Sequence, residues 1–87
     1  MFKEVKDLTD VIIKMTNELN GFPKEIKIVK ATLVVDDWGT HFLDIQYEED
    51  GIVYDYLKQI HSNLSGAVNE ALGDIKDFYV RFHEVRQ

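Results

Sequence analysis

His41, His61 and His83 are the imidazoles of this 87-residue chain, and no cysteine accompanies them. A zinc centre needs three or four converging ligands. No two of the histidines stand one helical turn apart, and the spacing of 22 between His61 and His83 builds nothing local. They read as surface or half-buried side chains. Ser62 and Ser65 have no elbow motif around them and read as loop or cap residues. Carboxylates are the remaining chemistry. Asp36-Asp37 and Glu48-Glu49-Asp50 offer oxygen to a hard cation such as calcium, but the D-x-[DN]-x-[DN]-G loop is absent, so solvated turns are the better reading. Asp44 and Asp55 are the pair a hairpin brings together, as in a glycosidase. A chain this short leaves little to wall a substrate cleft around them. The glycines match no phosphate-binding loop. We expect no catalysis, no metal and no cofactor.

The informative feature is the segregation of charge. From Ala31 to Leu57 the chain carries seven carboxylates (Asp36, Asp37, Asp44, Glu48, Glu49, Asp50, Asp55) and no Lys or Arg. The net charge of −6 is thus −7 in that stretch and +1 elsewhere. Five of the ten aromatics, Trp38 among them, lie there too. Phosphate contacts need Lys and Arg, so an acidic chain is a poor binder of bare nucleic acid and a better one of a basic protein. Aromatic groups beside fixed charge suit an interface with a desolvated anchor. The expected partner-binding set is those seven carboxylates with Trp38 and Phe42.

Around this stretch the elements fall in order. Leu8, Ile12, Met15 and Leu19, led by Val5, predict a helix over residues 6–20, ended by Asn20-Gly21 and Pro23. The β-branched run of residues 25–35 predicts a strand. Its Ile26 and Ile28 are out of phase with Ala31, Leu33 and Val35, which a bulge near Ile28-Val29 would reconcile, as would two-sided burial. Asp36 to Thr40 is a turn, and residues 41–48 a second strand. Asp50-Gly51 then predicts a tight hairpin with Tyr47 facing Tyr54 and Ile45 facing Tyr56. A rival helix starting at Tyr54 would absorb the third strand. A helix follows over residues 63–72, ended by Gly73-Asp74. The alternation of Phe78, Val80 and Phe82 predicts a last strand over residues 76–85, paired inside the sheet.

From Leu43 to Val85 the chain resembles the tail of bacterial alkaline-shock-type domains, with NLSGAVNEALG and FYVRFHEV where their last helix and strand stand. The segment also resembles the cytoplasmic domain of cation-efflux transporters. That resemblance implies a terminal strand ending in a metal-binding histidine, here His83, with Gln46 in place of a second ligand. Both imply a helix from Tyr54 to Ile60.

The expected architecture is a single α+β domain over residues 1–87, in the order α-β-β-β-α-β, with two helices on one face of a mostly antiparallel sheet; the alternative is α-β-β-α-β. With no apolar span and no signal-peptide core, a cytoplasmic location is expected. The expected function is an intracellular inhibitor or immunity-type protein that mimics nucleic acid toward a basic partner. A ligand- or metal-sensing domain and a structural oligomerisation domain that forms a homodimer are the other readings.

Overall fold

The computed structural model describes residues 1–86, with side chains through His83. Six elements follow one another: β1 (Lys3–Asp7), α1 (Thr9–Glu18), β2 (Lys27–Val35), β3 (His41–Glu49), β4 (Ile52–Gln59) and α2 (Leu64–Arg86). The four strands form one sheet in the order β1-β2-β3-β4, antiparallel throughout. Among the described residues no helix is long and apolar enough to cross a membrane.

The hairpin forms as its sequence requires. Tyr47 pairs with Tyr54 and Ile45 with Tyr56, and the two tyrosine rings of the first pair stack at 5.4 Å. The strand reading of residues 54–59 therefore holds, against the helical rival. Asp50 and Gly51 both have positive φ, 54° and 80°, as a type I′ turn demands. A Cβ on Gly51 would meet no atom within 4 Å, so the penalty for Gly51→Val is purely conformational. We expect a loss of about 1–2 kcal/mol in urea unfolding; an unchanged midpoint would contradict the turn. The register of β2 against β3 shifts between Ile28 and Lys30. That bulge ejects Val29 to solvent and brings Ile28 into phase with Ala31 and Leu33.

Both helices cover the same face. Leu8 and Ile12 from the α1 side, and Val68, Ala71, Leu72 and Ile75 from α2, close on Ala31, Leu43, Ile45 and Tyr47 of the sheet. Polar contacts fasten α2 to β4. The Tyr56 hydroxyl donates to the Asp74 carboxylate, and Lys58 Nζ lies 3.1 Å from Glu70 and 3.8 Å from Asp74. Burial, followed by that bond to Asp74, pushes the Tyr56 phenol up.

Two elements differ from the sequence reading. The first helix begins at Thr9, and Lys3–Asp7 is instead an edge strand on β2. Asp7 accepts hydrogen bonds from both the Thr9 N–H (2.9 Å) and hydroxyl (2.6 Å). The Thr9 hydroxyl meanwhile accepts from the Ala31 N–H at 3.0 Å, and the Leu8 N–H donates to the Ala31 carbonyl at 2.8 Å. These bonds tie the helix start to β2 and leave Val5 on the exposed strand. The second correction is larger. Residues 76–85 are not a strand but the continuation of α2. Val68, Ala71, Leu72, Ile75 and Tyr79 make a stripe at helical spacing that packs on the sheet. Phe78, Val80 and Phe82, whose alternation suggested a strand, lie on the exposed side. The resemblance to a domain ending in a strand therefore does not hold. The order is β-α-β-β-β-α, and the α+β class and antiparallel sheet stand.

Candidate functional site

With both helices on one side, the second face of the sheet is left open among the described residues. Period-two alternation determines what it carries. From β3 it presents Phe42, Asp44, Gln46 and Glu48; from β4, Val53, Asp55, Leu57 and Gln59; from β2, Lys27, Lys30, Thr32 and Val34; from β1, Glu4 and Asp7. Phe2 folds over one end, its ring edge-on to Phe42 at 5.2 Å. Val53 is 59% exposed and Leu57 47%.

Asp44 sits at the centre. Asp55 lies opposite Gln46, one diagonal step from Asp44 on the same face. Burial first, then the hydrogen bond and charge of Asp55, push the Asp44 carboxyl up to about 6; the charge of Lys30 pulls weakly the other way. One Asp44 oxygen is buried with no hydrogen-bond partner. Lys30 itself lies 3.7 Å from Glu4. Phe2, Glu4, Lys30, Thr32, Asp44 and Gln46 rim a shallow hollow of about 230 Å³. Its polar groups are the Glu4 and Asp44 carboxyls, the Lys30 amine, the Thr32 hydroxyl and the Gln46 amide.

The expected binding residues fall into three places. Phe42, Asp44, Glu48 and Asp55 share the open face. Asp36, Asp37 and Trp38 form the β2–β3 loop, in which Asp36 accepts the Trp38 and Thr40 N–H groups at 2.9 Å and Trp38 is 90% exposed. Asp50 is at the opposite end, a nine-residue strand away, on the order of 25–30 Å. Glu49 leaves the set's common surface: it points to the helix face, where it is buried. The acids thus form a face and two tips rather than one cluster. Glu4 and Phe2 were not expected there, because five exposed residues with no apolar alternation give β1 no periodic signal. Lys30 also joins the acids, although it lies just outside the base-free stretch.

Elsewhere a hollow of about 450 Å³ lies between the end of α1 and the loop into β2, lined by Ile13, Phe22, Ile26 and Ile28 among others. It gathers no acid–base pair. Comparison with protein-family models, with characterised proteins and with solved structures gives no match to this chain.

Proposed function

We propose that the chain is a non-catalytic binding module whose open sheet face docks on a basic surface of another protein. The observation that carries this reading is a sheet face covered by neither helix, on which Glu4, Asp44, Glu48 and Asp55 stand among Phe2, Phe42, Val53 and Leu57, with Lys27 and Lys30 as bases. Apolar groups supply the area a complex buries, while the carboxylates steer encounter and reject acidic surfaces. A nucleic-acid-binding enzyme or effector presents such a basic surface, and the carboxylates would stand in for phosphates. An inhibitor or immunity-type role follows from that complementarity.

The test uses the full chain as bait in a host lysate beside the triple variant Asp44→Asn, Glu48→Gln, Asp55→Asn. The wild type should retain a basic protein that the variant loses. With that protein purified, the association rate should fall as salt rises, since exposed charges are screened over roughly 8–10 Å near physiological ionic strength. Equal capture by both baits would reject the face. Trp38→Ala should act on dissociation, by about 2 kcal/mol if the exposed indole is an anchor; surface plasmon resonance separates the two rates.

A second reading has its own observation. β4 is an edge strand of eight residues with no proline, and Ile52 and Val53 are exposed on it. Such an edge can pair with a second copy. Sedimentation of the purified chain decides it: a concentration-dependent dimer favours this reading, a monomer removes it.

A further inference from the structure

Away from the open face, the last turns of α2 meet the hairpin tip. There Glu49, Asp50 and His83 each bring one ligand atom within 4.8 Å of the others. We propose that these three residues bind a divalent transition-metal ion, zinc being the representative case.

Three observations beyond proximity support the site. The Glu49 side chain is nine-tenths buried on the helix face, a costly place for a carboxylate. No hydrogen bond reaches it among the described residues, and its one partner is His83 Nε2 at 3.8 Å, too long for a hydrogen bond. His83 Nε2 is itself buried without a hydrogen-bond partner. The carboxylate of a largely buried side chain and a buried, unpartnered ring nitrogen therefore face one another at 3.8 Å. A metal ion satisfies both at once.

The dimensions are compatible. Metal–nitrogen and metal–oxygen bonds of about 2.0–2.2 Å in tetrahedral geometry put ligand atoms roughly 3.4 Å apart. Glu49 and His83 stand 3.8 Å apart and all three ligand atoms lie within 4.8 Å of one another, separations that side-chain rotation can close. Imidazole with carboxylates selects zinc-like ions over calcium or magnesium, which prefer all-oxygen shells. Three protein ligands leave a fourth position for water. The ring of Tyr79 packs against His83 with centroids 4.1 Å apart, tilted by 46°, and restricts its orientation.

The sequence conceals this site because Asp50 and His83 are 33 positions apart. Only the helical course of residues 76–83 returns the histidine to the hairpin. The site differs from a terminal-strand histidine centre in its elements and in its partners.

The experiment is calorimetric titration of zinc chloride into the metal-free full chain, with Glu49→Gln, His83→Ala and His61→Ala in parallel. Circular dichroism verifies that each variant is folded. Wild type and His61→Ala should bind one equivalent, and zinc should raise their melting temperature. Loss of an outer-shell partner alone costs about 10–100-fold in metal affinity, so Glu49→Gln and His83→Ala should each weaken binding at least tenfold and abolish the thermal shift. Glu49→Gln is isosteric and keeps the site testable if His83→Ala frays the helix. Absence of saturable binding by the wild type, or wild-type affinity in both ligand variants, would overturn the proposal.

Discussion

Ile75→Ala should lower the unfolding free energy by about 2–5 kcal/mol, a large part of the 5–15 kcal/mol typical of a small domain. Ile75 is 0% exposed and lies among Val68, Ala71 and Leu72 on the face of α2 that meets Leu43 and Ile45. Truncation removes three carbons from a fully buried apolar site, so the cost is the lost transfer energy plus a cavity. Val80→Ala is the matched control. Val80 is 41% exposed, and its truncation should cost less than about 1 kcal/mol. A strand over residues 76–85 would bury Val80 with Phe78 and Phe82. Urea unfolding of the two variants separates these structures: comparable losses, or a larger one at Val80, would contradict the helix.

Asp44→Asn should act in the opposite direction and stabilise the chain at neutral pH. In the folded chain burial and Asp55 hold the Asp44 carboxyl up at about 6, against about 3.9 when unfolded. Between those values the folded state keeps a proton that the unfolded state has lost. The protonated form's stability is therefore fully present below about pH 4 and is lost as pH rises through about 6. Two pH units correspond to roughly 2.7 kcal/mol, which solvent screening at a half-exposed surface reduces to about 1–2 kcal/mol. Asparagine donates to Asp55 as the protonated acid does, and has no charge to desolvate. Urea midpoints should rise by that amount at pH 7.5 and barely change at pH 4. Identical pH profiles for wild type and variant would contradict the raised Asp44. If the face binds a basic partner, the stabilised variant should associate more slowly, so stability and binding would diverge at this residue. Wild-type binding should weaken below about pH 6, where the face loses the Asp44 charge.

What was legible in the sequence was local. Asp50-Gly51 and the alternation on either side specified the hairpin, its register and the division of β3 and β4 into an apolar and an acidic face. The phase break at Ile28-Val29 left a bulge or two-sided burial open, and the register of β2 on β3 shows the bulge. The two ends of the chain were not legible, for opposite reasons. β1 is an edge strand with all five residues exposed, so it has no hydrophobic period, and its evidence lies in backbone pairing with β2. α2 carries two periods at once. Phe78, Val80 and Phe82 alternate, but the longer stripe from Val68 to Tyr79 has the sheet to pack on, and packing decides. Gly73 did not end the helix: its interior cost of about 1 kcal/mol is offset by the neighbours Leu72, Ile75 and Asp74, the last bonded to Tyr56. Of the candidate site, the register placed Phe42, Asp44, Glu48 and Asp55 together in advance. Phe2 and Glu4 depended on β1, and the meeting of Glu49 with His83 depended on α2.

The proposal that the open face is the binding surface is tested most directly by amide chemical-shift mapping. The isotope-labelled chain is titrated with the basic protein that wild-type bait retains. Shifts should concentrate on Asp44, Gln46, Glu48, Asp55 and Leu57, extend to Trp38, and spare Ile12 and Ile75 beneath the helices. Shifts confined to α1 and α2, or the absence of any basic protein for the wild-type bait to retain, would contradict it.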